Sequence, residues 1–123
     1  METNSKKLLE AIPDFREFMA LSEEIKSLYY EKMVVENQIK QTESDNFNEV
    51  MSNPKYFING KVPPVSYYEN AYKFAGLNGE IAALRTQLAT VVSKLDMKRM
   101  QYDIYKQMIE MYKSASFQER AMS

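Results

Sequence analysis

Apolar residues recur at alternating steps of three and four along two long stretches of this chain. The longer series is Phe74, Leu77, Ile81, Leu84, Leu88, Val91, Leu95, Lys98, Tyr102, Tyr105, Ile109, Tyr112, interrupted only by Lys98. The shorter is Phe18, Leu21, Ile25, Leu28, Lys32, Val35, Ile39, Thr42, widened on one flank by Phe15, Met19, Tyr29 and Met33. Such spacing draws one continuous seam along a helix and calls for a second helix beside it. From Met97 a second apolar row joins the longer series: Met97, Met100, Ile104, Met108 and Met111.

Local signals bound the elements. Leu8, Leu9 and Ile12 predict a short helix over 4–12, closed by Pro13. Asp14, with Glu17 three residues on, reads as an N-cap. A first long helix is expected over 14–43, a stretch free of glycine and proline. Residues 44–65 lose the periodicity and fill with turn formers: Asp45-Asn46, Ser52-Asn53-Pro54, Asn59-Gly60 and Pro63-Pro64. Asn59-Gly60 between Tyr56-Phe57-Ile58 and Lys61-Val62 predicts a small β-hairpin over 55–62. Ser66-x-x-Glu69 fits a capping box and starts a second long helix expected over 66–115. Gly76 and Gly79 mark a kink at 76–79 as the alternative to a continuous helix, because Leu77 and Ile81 keep the seam in phase across them. Residues 116–123 are expected to fray.

These elements predict one all-α domain, an antiparallel helical hairpin or coiled coil with a minimal hairpin in its connector. A connector placed symmetrically at the tip sets Asp14 opposite Leu95 and Glu43 near Ser66. The first helix is then about 45 Å long and the second about 75 Å. Residues 96–115 would project past the first helix, and that overhang carries the second apolar row. Its side chains Met97, Met100, Tyr102, Ile104, Tyr105, Met108, Ile109, Met111 and Tyr112 are therefore the expected interface for self-association or for other protein subunits. Tyr56, Phe57, Ile58, Asn59 and Gly60, at the connector tip, form a second expected contact.

Composition narrows the chemistry. The 123 residues include no cysteine and no histidine, which removes thiolate nucleophiles, disulfides and the commonest general base and metal ligand. No compact acidic cluster completes a site around Glu23, Glu24, Glu31 and Glu36, so neither catalysis nor a cofactor is expected. Gly76-x-x-Gly79 is no phosphate loop, since no Gly-Lys-Ser/Thr follows. The net charge of −1 conceals 8 basic against 11 acidic residues over 1–62, and 8 against 6 over 63–123. That asymmetry favours packing of the two halves, and neither half is basic enough to announce a nucleic-acid partner. No apolar run reaches about 18 residues, and the first residues are too short for a signal-peptide core. The expectation is a soluble cytoplasmic protein, or part of a large intracellular or viral assembly, with no membrane or small-molecule partner.

Three function classes fit this reading. The first is a non-enzymatic scaffold or adaptor that acts through self-association, with Lys32 and Lys98 snorkelling from their seam positions. The second follows from layout: a helix, a β-hairpin linker and a second helix in about 120 residues is similar to a prefoldin subunit, which implies a holdase chaperone. The third is a small helical oligomer that handles single-stranded nucleic acid through Lys94, Lys98, Arg99 and Lys106. Tyr67, Tyr68, Tyr72 and Lys73 offer stacking surfaces of that kind, and their simpler role is packing beneath the Asn59-Gly60 turn.

Overall fold

The computed structural model describes residues 3–122. It is 82 % helical, with four α-helices and no strand among the described residues. They are α1 (Asn4–Ala11), α2 (Phe15–Ser52), α3 (Val65–Ala71) and α4 (Glu80–Met122), with a 3₁₀ turn at Pro54–Tyr56. Helices α2 and α4 pack against each other, the all-α helical hairpin that the two seams call for. The chain divides into two compact units: the described parts of Met1–Tyr29 and Ser93–Ser123 form one, and Tyr30–Val92 the other.

In the Tyr30–Val92 unit the seam becomes core. Val35, Ile39 and Ile81 are buried together, with Leu84 and Leu88 packed against them. Here α2 runs nine residues beyond the expected end at Glu43, through Ser44, Asp45, Asn46 and Asn48. These are weak helix formers because their side chains compete for backbone hydrogen bonds. Packing overrides that preference: Val50 and Asn46 are buried, and the Phe47 ring meets Tyr68 edge-on at 5.2 Å. Polar side chains also bond along the helix, from Gln41 to Asp45 at 2.9 Å and from the Ser52 hydroxyl to the Asn48 carbonyl at 2.6 Å. Pro54 ends the run, and the Asn53 side chain caps the 3₁₀ turn by accepting from the Lys55 amide.

The hairpin expected over 55–62 shrinks to its turn. Ile58 and Lys61 form a single antiparallel bridge, with both amide–carbonyl bonds made at 2.9 and 3.0 Å. Asn59 and Gly60 take φ of 52° and 75°, the left-handed pair that a two-residue hairpin turn requires. Pairing stops there because Pro54–Tyr56 coils into the 3₁₀ turn and Pro63 and Pro64 lack amide donors.

The second long helix is two helices. α3 begins one residue before Ser66, at Val65, with Pro64 in the cap position and no side-chain cap bond, so the Ser66–Glu69 capping box does not form. Residues 72–79 leave the helix, and Gly76 and Gly79 adopt φ of 92° and 78°.

In the unit formed by the terminal segments, α1 follows the expected pattern, with Thr3 as its N-cap. The Asp14 side chain accepts from the Glu17 amide at 2.9 Å and caps α2. The register of the pair differs from the symmetric estimate. Phe18 packs edge-on against Tyr102 and Tyr105, with ring centroids 6.1 and 5.5 Å apart. Lys98 pairs with Glu24 at 2.7 Å. Leu21 and Leu95 are buried. Asp14, one turn before Phe18, thus lies about three turns further along α4 than Leu95. The projecting overhang of 96–115 is accordingly absent, because α1 and the start of α2 run beside that stretch. The expected fraying of 116–123 does not occur over the described residues: α4 is helical to Met122, and Glu119 accepts from the amide and hydroxyl of Ser5. Those two bonds, the hydroxyl first, hold the Glu119 carboxyl below its ordinary pKa.

Ile81 has no exposed surface and packs with Val35 and Ile39 of α2, so its truncation leaves a cavity. Ile81→Ala is expected to cost about 2–4 kcal/mol in urea denaturation, whereas Met100→Ala, on an exposed face, is expected to stay within about 0.5 kcal/mol.

Candidate functional site

The side chains nominated on α4 divide into two stripes. Tyr102, Tyr105, Met108, Ile109 and Tyr112 are half-buried, with the first two held by Phe18. Met97, Met100, Ile104 and Met111 are 67, 64, 51 and 56 % exposed. Steps of three, four and seven keep these four on one face, roughly 130° around the helix from the Tyr102–Tyr105–Ile109–Tyr112 seam. The stripe carries no charge of its own.

Each end of the exposed stripe opens into a groove. Met97 and Leu28 provide the apolar floor of a groove of about 360 Å³, rimmed by Lys94 and by the Lys98–Glu24 pair. Met111 borders a second groove of about 590 Å³, shared with Lys7 and Leu8 of α1 and with Glu110, Ser114 and Ala115 of α4. Both are open features lined in part by a methionine of the stripe. Among the described residues no group of three or more His, Cys, Asp or Glu side chains could hold a metal ion. No helix of the described residues is long and apolar enough to cross a membrane.

The connector gathers the other nominated residues. Tyr56 and Phe57 are half-buried, while Ile58, Asn59 and Gly60 are exposed. Tyr56 meets Tyr72 edge-on at 6.0 Å, and Tyr72 in turn meets Tyr67 at 6.3 Å. Tyr68 is buried and donates its hydroxyl to the Glu43 carbonyl at 3.0 Å. Burial first, then the charges of Glu43 and Glu80, push the Tyr68 phenol up. The tyrosines are therefore occupied with one another and with α2, and only Tyr67 is substantially exposed.

Sequence reasoning missed the group that organises this connector. The Glu80 carboxylate accepts from the amides of Leu77 and Asn78 at 3.0 and 2.7 Å, and from the buried Asn46 side chain at 2.7 Å. One turn on, Arg85 donates to the Phe74 carbonyl, pairs with Glu43 at 2.9 Å and lies over the Phe74 ring. An acidic residue immediately after Asn78-Gly79 was the available signal, since carboxylates favour the first turn of a helix. Partial burial alone would raise the Glu80 pKa, but the bonds from Asn46 and the backbone amides override it and hold the carboxyl low.

No known protein family, no curated protein and no solved structure matches this chain.

Because the folded-state pKa of Glu80 lies below its unfolded value, its contribution is complete above the ordinary carboxylate range and is lost as pH falls through the lowered value. Glu80→Ala is expected to cost about 1.5–3 kcal/mol at neutral pH. The difference between wild type and variant should shrink as urea midpoints are taken down to about pH 3.

Proposed function

We propose that this protein is a non-enzymatic assembly subunit that self-associates through the exposed stripe of α4. The observation that carries the reading is the exposure of Met97, Met100, Ile104 and Met111 on one charge-free face. A hydrophobic side chain of this size gains about 1.5–3 kcal/mol on full burial, so a face of four favours a second copy over water. With half-buried Met108 included, the steps from Met97 to Met111 are three, four, four and three. That order is the same read in either direction from Ile104. Two copies related by a two-fold axis at Ile104 therefore set Met97 against Met111 and Met100 against Met108. Exposed Ile58 and Val62, beside the Asn59-Gly60 turn, serve as a second contact for another protein.

The methionine content of the stripe favours one further reading, a holdase that takes unfolded clients on an adaptable surface. In that case the monomeric form retains client binding.

Sedimentation equilibrium at tens of micromolar is the test. The wild-type chain is expected at a multiple of 14.4 kDa, and Ile104→Lys or Met100→Lys at the monomer mass with unchanged helicity. A wild-type monomer at that concentration would overturn the self-association reading. Suppression of client aggregation by a wild-type monomer, lost on Ile104→Lys, would transfer the stripe to the holdase.

A further inference from the structure

The seam that should pass from α3 into α4 is broken in space but not in phase. Phe74 and Leu77 stand seven and four residues before Ile81, the spacing that continues into Leu84 and Leu88. Yet Phe74 is 72 % exposed, an apolar seam residue with no apolar partner over most of its surface. The unbroken phase and the bare Phe74 are those of a helix longer than either piece.

What separates the pieces is a small, identifiable set of bonds. The Ala75 carbonyl accepts from the amides of Ile81 and Ala82, so residues 72–79 fold back over the start of α4. The Glu80 carboxylate holds the Leu77 and Asn78 amides in that fold and ties them to Asn46 of α2. Gly76, at φ 92°, lies so close that a Cβ there would stand 2.6 Å from the Glu80 carboxylate oxygen and carbon. Gly79 needs its own positive φ of 78°. Tyr68 then clips α3 to the Glu43 carbonyl. Every bond of the set is specific to the folded-back arrangement, while the apolar phase is specific to the continuous one.

We infer that residues 65–79 form a latch between two states of the connector: the folded-back state described above, and one in which α3 and α4 merge into a single helix from Val65 to Met122. In the merged state Phe74 and Leu77 extend the apolar seam by two turns, and Tyr68 leaves Glu43. A chain that covers that extended seam favours the merged state, since a ligand shifts such an equilibrium by its differential affinity for the two states. Gly76 and Gly79 weigh against merging, because glycine disfavours a helix interior, and they permit the positive φ of the latch.

The chain has no native cysteine, so spin labels at Ser66→Cys and Gln87→Cys report the latch directly. In the folded-back state Tyr68 and Arg85 both reach Glu43, which keeps the labels close. In a merged helix their backbones stand about 32 Å apart. The Gly76→Ala/Gly79→Ala variant, which adds the 2.6 Å contact and removes both helix breakers, is expected to show a discrete population near that distance. Glu80→Ala, which removes the tie without adding bulk, is expected to show a smaller population at the same distance. Retention of the short distance in both variants overturns the inference. So does a broad distribution, the mark of a connector that melts instead of merging.

Discussion

One carboxylate closes the start of the last long helix and ties it to the first. Glu80 satisfies the amides of Leu77 and Asn78 and reaches across to a buried Asn46. Free amides at the start of a helix must find acceptors, and here the acceptor is also the tie between two elements distant in sequence. With α4 begun at Glu80, Ile81 falls beside Val35 and Ile39. Arg85 falls against Glu43 by the same constraint. A start at Ser66 would have consumed two turns of seam before that point.

The parts of the fold legible in the sequence were those set by periodicity and by local chemistry. The seams of Phe18–Thr42 and Phe74–Tyr112 foretold two packed helices, Asp14 foretold its cap, and Asn59-Gly60 foretold a turn with two positive φ angles. What escaped was whatever depended on contacts between remote residues. Ser44 to Asn48 looks like a loop because its intrinsic preference is for turns; the burial of Val50 and Asn46 and the Phe47–Tyr68 contact favour the helix. The α4 register escaped for the same reason, since it is read from the contacts of Phe18 with Tyr102 and Tyr105 and not from the symmetry of a connector. For the candidate surface, spacing distinguished the two stripes of α4 from the outset. It could not say that Phe18 covers Tyr102 and Tyr105 while Met97, Met100, Ile104 and Met111 remain open.

The contrast between those stripes is physical as well as geometric. The covered stripe is aromatic and rigid, and its rings meet Phe18 edge-on, an arrangement that fixes orientation as well as burying area. The open stripe is mostly thioether, flexible and polarizable. One helix thus carries a tyrosine seam that packs within its own fold and a methionine row that faces out.

The two units also differ in how the chain supplies them. Tyr30–Val92 is a single uninterrupted stretch, and everything it needs is present once Val92 has been made. The other unit draws on both ends of the sequence; its bond from Ser5 to Glu119 joins residues 114 positions apart. Closing so wide a loop carries a chain-entropy cost that local contacts do not. During synthesis, where amino-terminal segments emerge first, α1 and the first turns of α2 must therefore wait for the last residues of α4. In that interval Phe18 and Leu21 have no ring or seam to meet, and the nascent chain carries them bare.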